Sequence, residues 1–192
     1  VREMNLAAVK LARDLADEYT AKNPDKPRFV AGSVGPTNKT CSMSPDVNNP
    51  AYRALSYDEL AASYQQQMEA MLEGGVDAIL IETIFDTLNA KAAIFAAEQA
   101  MKMTGIEVPI MLSVTVSDIG GRTLSGQTLD AFLASVQHAN IFSVGLNCSF
   151  GARQLKPFLE QLASRAPYYI SAYPNAGLPN SLGKYDQTPA DM

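Results

Sequence analysis

Short apolar runs alternate with longer amphipathic segments along the whole chain, and this alternation limits the possible folds more than any other feature. Five apolar runs predict buried strands, and the segments between them have the 3.6-residue period of helices. Each strand–helix unit spans roughly 30–40 residues, the size of a crossover between parallel strands. Because the strands are almost continuously apolar, we expect both faces of a parallel sheet to be covered.

Local signals set the expected bounds of the elements. A helix is predicted over Arg2–Lys22 and ends before Pro24, because proline cannot continue the helical hydrogen bonds. Ser56 and Glu59 have the spacing of a capping box at the start of the next helix. The strands are predicted over residues 29–34, 76–81, 109–116, 141–146 and 168–173. The apolar stripe of the first helix consists of Ala8, Leu11, Ala12, Leu15 and Tyr19.

The composition is that of an ordinary globular protein. The 192 residues are 47% hydrophobic and 18% charged, which predicts a single domain, or a large part of one bigger domain, over residues 1–192. The net charge of −5 argues against nucleic acid or an anionic membrane as a partner, since both attract basic surfaces. No run approaches the roughly 20 apolar residues of a membrane span. With only two cysteines, Cys41 and Cys148, a disulfide framework is excluded and a cytoplasmic location is expected.

Polar residues follow most of the predicted strands. These residues are Thr37-Asn38, Glu82-Thr83, Asn147-Cys148 and Asn175. No Gly-x-Gly-x-x-Gly motif and no P-loop occurs, which disfavours a doubly wound nucleotide-binding sheet. Polar groups that converge from many strand ends are instead typical of a β/α barrel. Since a complete eight-stranded barrel needs about 250 residues, we expect an α/β fold with about five parallel strands and flanking helices, a partial barrel.

Cys148 lies at the carboxyl end of the fourth predicted strand, in the segment Gly145-Leu146-Asn147-Cys148-Ser149-Phe150-Gly151. Barrel and doubly wound enzymes place their chemistry at this end of the sheet. From the residues alone, Cys148 is a metal ligand, a nucleophile or a small, partly buried core residue. These three alternatives imply different functions for the chain.

Three further side chains at strand ends are candidates for substrate binding. Glu82 ends an apolar strand, where an unpaired buried charge would be costly. It therefore binds a substrate or serves as a cap or ion-pair partner near Asp86 and Lys91. Asn147 and Asn175 either bind the polar end of a substrate or satisfy backbone groups in turns. Beyond the alternatives left open for Cys148, no residue is assigned a catalytic role.

Five ordered motifs resemble the homocysteine-binding domain of cobalamin-dependent methionine synthases, a member of the homocysteine S-methyltransferase family. The resemblance extends from the first helix to the last residues, and its strength lies in the order and spacing of the motifs. The motifs are Gly35-Pro36-Thr37-Asn38, Ile81-Glu82-Thr83-Ile84-Phe85-Asp86-Thr87-Leu88-Asn89-Ala90-Lys91-Ala92, Gly121-Arg122-Thr123-Leu124-Ser125-Gly126-Gln127, Gly145-Leu146-Asn147-Cys148 and Pro174-Asn175-Ala176-Gly177-Leu178-Pro179.

The resemblance implies an eight-stranded β/α barrel with a zinc ion held by three cysteine thiolates at its carboxyl-end mouth. Cys148 matches the thiolate that ends the sixth strand of the family. The other two thiolates belong to a Gly-Gly-Cys-Cys-Gly motif on the eighth strand, and this chain has no Cys-Cys pair. We therefore expect strands three to seven, without the first two strands and the last.

The implied activity is transfer of a methyl group to homocysteine, forming methionine. Zinc would hold the thiol of homocysteine as a thiolate near neutral pH, and three protein ligands would leave one position open for it. Glu82 matches the family glutamate that holds the amino group of homocysteine, and Asn147 and Asn175 are expected at the polar end of the substrate. Cobalamin and methyltetrahydrofolate would be bound by other modules of the full-length protein. The chain by itself is expected to be inactive.

A different class of function is also consistent with the sequence. The chain could be a non-catalytic, truncated β/α module that is stabilised by association. A partial barrel leaves two open sheet edges, which invite pairing with another chain. On this hypothesis we expect a homo-oligomer.

Overall fold

The computed structural model describes residues 1–192, and it confirms the predicted alternation of helices and strands. The helices are α1 (Arg2–Lys22), α2 (Tyr57–Gly74), α3 (Thr87–Thr104), α4 (Leu129–Val136) and α5 (Ala152–Arg165). The strands are β1 (Ala31–Val34), β2 (Ala78–Ile84), β3 (Ile110–Val114), β4 (Ser143–Gly151) and β5 (Tyr169–Asn175). No helix combines the length and the apolar character that crossing a membrane requires.

All five strands belong to one sheet, and each is parallel to its neighbours. Their order in the sheet is β1-β2-β3-β4-β5, the same as their order in the chain. In a β/α barrel each crossover helix likewise returns the chain to the next position in the sheet. The prediction of about five parallel strands with flanking helices is thus confirmed.

The two faces of the sheet differ in chemistry. Alternate residues of each strand point to opposite faces. One set is apolar and almost fully buried, including Ile79, Leu112 and Leu146, and it belongs to the same core as the apolar side chains of the helices. The other face carries Glu82 and Asn147, together with the other side chains of the candidate site. The strands are therefore apolar on the helix-packed face and largely polar on the face that a barrel would enclose.

Short-range signals explain where two of the helices begin. The predicted capping box precedes α2: the Ser56 hydroxyl accepts the Glu59 N–H, and the Glu59 carboxylate accepts the Ser56 N–H. The two hydrogen bonds to Ser56 lower the pKa of Glu59. Asp86 caps α3 by accepting the N–H groups of Leu88 and Asn89 at 2.9 and 3.1 Å. Such caps satisfy N–H groups that have no partner within the helix.

The apolar stripe of α1 is not its buried face. Leu11, Leu15 and Tyr19 are 74%, 57% and 49% exposed. The helix instead buries Val9 and Ala16, and Val9 packs against Gly74 at the end of α2, where a Cβ atom would lie 2.9 Å from Val9 Cγ1. Periodicity identified an apolar stripe, but only the packing of α1 on α2 decides which side of the helix is covered.

Two strands run further than predicted and end irregularly. The strand predicted over residues 76–81 continues to Ile84, and the one predicted over residues 141–146 continues to Gly151. The pairing of β2 with β3 shifts register between Ile81 and Ile84, and that of β4 with β5 shifts between Asn147 and Gly151. Such irregularities redirect side chains at the rims of barrels. Both of these lie at the carboxyl end of the sheet, at predicted site residues.

Candidate functional site

Three residues with side chains adopt the left-handed backbone conformation, and all lie at the carboxyl ends of β2 and β4. Thr83, Cys148 and Ser149 have φ angles of 57°, 58° and 57°. This conformation costs an L-residue roughly 1–2 kcal/mol and persists where surrounding contacts enforce it. The bends turn the residues next to Glu82 and Asn147 toward the polar face of the sheet. Unusual backbone conformations of this kind cluster at functional sites.

The Asn147 side chain connects the two irregular strand ends. Its Oδ1 accepts the Ser113 hydroxyl at 2.6 Å and the Thr83 N–H at 3.2 Å. Its Nδ2 donates to Thr83 Oγ1 at 3.0 Å and to Cys148 Sγ at 3.1 Å. The network spans β2, β3 and β4, and it is centred on a residue that is 1% exposed. Asn147 therefore joins the strand end that carries Cys148 to the one that carries Glu82.

Glu82 projects from β2 and is held through both carboxylate oxygens. Oε1 accepts the hydroxyl of Ser33 from β1, and Oε2 accepts the hydroxyl of Tyr173 from β5 at 2.8 Å. Burial raises the pKa of Tyr173 well above its ordinary value, and the hydrogen bond to Glu82 acts in the same direction. The hydroxyl therefore remains protonated at neutral pH and continues to donate to the carboxylate.

The hydrogen bond between Tyr173 and Glu82 also indicates that the sheet is curved. β5 and β2 are separated by two strands, so in a flat sheet they would lie about 14 Å apart. Because side chains stand roughly perpendicular to a sheet, a direct hydrogen bond of 2.8 Å indicates that the sheet curls toward its polar face. This curl is the geometry of a barrel wall, and it brings Ser33, Glu82 and Tyr173 together from three strands.

Cys148 is half-buried at the carboxyl end of β4, whereas Cys41 is buried in the loop between β1 and α2. Burial raises the pKa of the Cys41 thiol, and the nearby Asp86 carboxylate raises it further. A thiol at the rim of the sheet is a donor that zinc accepts. No group of three or more His, Cys, Asp or Glu side chains could hold a metal ion together. Cys148 thus suits zinc as one donor, and the residues of this chain do not complete a metal site.

Asn175 is the last residue of β5 and pairs with Gly151 of β4. It lies at the same end of the sheet as Cys148, but its side chain makes no hydrogen bond to the Asn147 network or to Glu82. The residue as a whole is half-buried. The predicted role of Asn175 in substrate binding stays a prediction.

The long loop between β1 and α2 is attached to the start of α3 by two buried side chains. Asp86 accepts the hydroxyl of Ser42. Asn89 accepts the Cys41 N–H at 2.9 Å and donates to the Lys39 carbonyl at 3.0 Å. Since the loop follows the carboxyl end of β1, these contacts hold it beside the candidate site.

Comparison with known protein families agrees with this architecture. A family model described as homocysteine S-methyltransferase matches residues 1–192, the whole chain. The chain belongs to the homocysteine S-methyltransferase family. The family resemblance predicted from the strand-end motifs is thereby confirmed.

Solved structures show the same fold. The chain is similar to the apo form of the homocysteine methyltransferase MmuM from Escherichia coli, with a TM-score of 0.73 and 23% identity over 92% of this chain and 61% of MmuM. The metallated form of MmuM gives a TM-score of 0.74 and 22% identity over 92% of this chain and 59% of that one. These relatives have barrel-type folds. The chain spans about three fifths of the length of the MmuM structures it matches.

A prominent groove on this homocysteine S-methyltransferase domain lies away from the candidate site. It has a volume of about 900 Å³ and lies at the amino ends of β3, β4 and β5, where Ile110, Phe142 and Tyr169 line it. Barrel enzymes carry their active sites at the opposite, carboxyl end of the strands. The convergence of Glu82, Asn147 and Cys148 therefore marks the site better than groove size does.

Sequence reasoning missed four members of the site. Ser33, Ser113 and Tyr173 contact the predicted residues directly, and Thr83 was noted only as a polar strand end. A signal for them exists, because Ser33 and Ser113 interrupt otherwise apolar strands. A hydroxyl inside such a strand needs a hydrogen-bond partner on one face of the sheet. The sequence does not identify that partner, because it lies on another strand.

Proposed function

We propose that this chain forms the central part of a homocysteine-binding domain of the methionine synthase type, which transfers a methyl group to the thiol of homocysteine. The observation that carries the proposal is that Glu82, Asn147 and Cys148 lie at the carboxyl ends of β2 and β4, which hydrogen bonds between Thr83 and Asn147 join. A carboxylate and a thiol at one barrel mouth suit a substrate that carries an ammonium group at one end and a sulfur atom at the other.

In this proposal Glu82 binds the ammonium group of homocysteine. A carboxylate offers about four acceptor positions, and the Ser33 and Tyr173 hydroxyls occupy two of them. The remaining positions can accept N–H groups of the substrate. The two hydroxyls fix the carboxylate in place, which reduces the side-chain entropy that binding would otherwise cost. Asn175, at the rim of β5, is proposed to meet the polar end of the same substrate.

Cys148 is proposed to supply one thiolate ligand to a zinc ion whose other ligands come from outside this chain. Zinc bound there would hold the substrate sulfur as a thiolate at neutral pH. What Cys148 itself contributes is a soft anionic donor at the rim, presented by a bend at the end of β4. The methyl donor would bind elsewhere, with cobalamin and methyltetrahydrofolate on other modules.

The metal assignment is tested with the longest natural protein that contains this chain. We expect Cys148→Ser to lower the zinc content per chain, measured by elemental analysis, and to abolish the rise in melting temperature caused by homocysteine. Cys41→Ala is the matched control, because it alters a buried thiol outside the strand-end cluster, and it should leave both quantities unchanged. Retention of stoichiometric zinc in Cys148→Ser would remove Cys148 from the metal site.

The methionine synthase assignment has a separate test. The same protein is supplied with homocysteine and either methylcobalamin or S-adenosylmethionine, and methionine is quantified by mass spectrometry. Formation of methionine from methylcobalamin supports the proposal. Turnover with S-adenosylmethionine alone would place the protein elsewhere in the homocysteine S-methyltransferase family.

A further inference from the structure

We propose that Asn147 is a positioning residue, which sets the direction of the Cys148 thiol and holds it in register with Glu82. The effect of this positioning on metal binding rests on the proposed function. The orientation of the Cys148 thiol itself can be measured without metal or substrate. The inference assigns to Asn147 a role different from the substrate binding predicted from the sequence.

The orientation of the Asn147 amide is determined by its surroundings. The backbone N–H of Thr83 can only donate, so the amide atom 3.2 Å from it must be the oxygen, Oδ1. The Ser113 hydroxyl donates to the same oxygen at 2.6 Å. The nitrogen then faces Thr83 Oγ1 at 3.0 Å and Cys148 Sγ at 3.1 Å. Both amide hydrogens and both acceptor positions are thus used within the protein.

Burial makes this arrangement costly to disrupt. Asn147 is 1% exposed, so water cannot replace a lost partner, and an unsatisfied buried polar group costs about 1–3 kcal/mol. The backbone of the same residue is held as well, because its carbonyl accepts the Thr115 hydroxyl at 3.2 Å. With its side chain fully engaged, Asn147 has no free group for a substrate and instead presents a fixed N–H to the sulfur.

Cys148 needs such a constraint. It and Ser149 both adopt the left-handed conformation, in the segment where β4 and β5 lose their regular pairing. A thiol on an irregular rim would otherwise rotate among staggered rotamers. Since Thr83 adjoins Glu82 and Asn147 adjoins Cys148, one amide fixes the strand end of the ammonium-binding carboxylate relative to that of the sulfur.

The decisive experiment measures the orientation of the Cys148 thiol in the metal-free, full-length protein. Asn147→Asp keeps the shape of the side chain and replaces the N–H donors with an oxygen. Hα–Hβ couplings in protein with labelled cysteine report the χ1 rotamers. We expect one dominant rotamer in the wild type and rotamer averaging in Asn147→Asp, with the signal of Cys41 unchanged. A single unchanged rotamer of Cys148 in the variant would overturn the proposal.

A control and a second variant separate positioning from general stability. Ser113→Ala removes one hydrogen bond to Oδ1 but leaves the N–H that faces sulfur, so it should preserve the Cys148 rotamer. If rotamer averaging in Ser113→Ala is as large as in Asn147→Asp, the hydrogen-bond network supports the fold in general and the Asn147 N–H does not specifically orient the thiol. If Asn147→Asp does not fold, Asn147→Ser removes the N–H that faces the sulfur without introducing a charge. That variant should also broaden the rotamer distribution, and an unchanged rotamer there counts against the proposal.

Metal binding adds a readout that depends on the proposed function. Loss of a residue that orients a metal ligand typically weakens metal affinity 10–100-fold. We expect an increase of that order in the zinc dissociation constant of Asn147→Asp, and a weaker cobalt–thiolate absorption band after cobalt substitution. Two results together would support the positioning role and defeat the proposed function: rotamer averaging of Cys148 in Asn147→Asp, and a wild-type protein that binds no metal through Cys148. Unchanged affinity in a variant with averaged rotamers would refute the link between thiol direction and metal binding.

Discussion

The hydroxyl of Tyr173 links two parts of the site that are far apart in the chain. It lies 91 residues from Glu82 in sequence and donates to its carboxylate at 2.8 Å. Because burial raises the pKa of Tyr173, the hydroxyl keeps its proton throughout the neutral range. The Glu82 side chain is therefore oriented by two neutral donors, the hydroxyls of Tyr173 and Ser33.

Tyr173→Phe tests this orientation. In the full-length protein we expect the KM for homocysteine to rise roughly tenfold, since a hydrogen bond to a charged group contributes about 1.5–3 kcal/mol. The melting temperature should change little. Tyr169→Phe is the matched control, because Tyr169 lies at the amino end of the same strand and is 71% exposed. Equal KM values for the two variants would show that the Tyr173 hydroxyl does not prepare the carboxylate.

Among the elements, α2 and α3 begin with caps that differ in the number of segments they contact. Ser56 is exposed and serves only the first turn of α2. Asp86 is buried, caps α3 and also accepts the hydroxyl of Ser42 from the loop after β1. The start of α3 therefore attaches the loop beside the candidate site to the helix.

This difference predicts unequal costs of removing the two caps. Ser56→Ala should lower the free energy of unfolding by about 1 kcal/mol, the usual value of a helix cap. Asp86→Ala should lower it by roughly 2–3 kcal/mol, because the loop hydroxyl also loses its partner inside the protein. Urea denaturation of both variants provides the comparison. If Asp86→Ala costs no more than Ser56→Ala, the loop is not held by this carboxylate.

For the molecule as a whole, Tyr64 ties α2 to the loop at the carboxyl end of β1. It is buried, and its hydroxyl donates to the Gly35 carbonyl at 3.2 Å. Burial raises its pKa from 10.0 to about 12. Because the folded state favours the protonated form, this contribution to stability is complete below the unfolded pKa and is lost as the pH rises toward 12.

The predicted consequence is a specific sensitivity to alkali. Two pKa units correspond to roughly 3 kcal/mol. The stability advantage of the wild type over Tyr64→Phe should shrink by an amount of that order as the pH rises from below about 10 to near 12, as measured by urea unfolding at each pH. Tyr185→Phe removes an exposed hydroxyl and serves as the control. A constant difference between wild type and Tyr64→Phe would contradict this account.

The open sheet has edges at β1 and β5, and apolar side chains lie exposed at both. Phe29, just before β1, is 75% exposed, and Tyr169 on β5 is 71% exposed. Unpaired edges and exposed apolar surface favour association. We therefore expect the isolated chain to form dimers or larger oligomers in light-scattering measurements. A stable, compact monomer over a wide concentration range would contradict both this prediction and the alternative hypothesis of a module stabilised by association.

Much of the fold follows from short-range patterns. The apolar runs, the Ser56–Glu59 capping box and the polar strand ends predicted five parallel strands with flanking helices, and they indicated the homocysteine S-methyltransferase family. These signals are readable because each depends on residues within one or two turns of a helix or within one strand. The same signals do not identify the covered side of α1, since the exposure of Leu11 and Leu15 depends on which neighbours pack against them.

The sequence by itself determined which residues stand at the carboxyl ends of the strands, because hydrophobic periodicity and turn residues are local properties. Only the tertiary structure decided that the Asn147 amide reaches across β3 to Thr83 and that Tyr173 meets Glu82. Those contacts depend on strand register and on the curl of the sheet, which arise when the helices pack on one face. Neither property is encoded in any single segment of the chain.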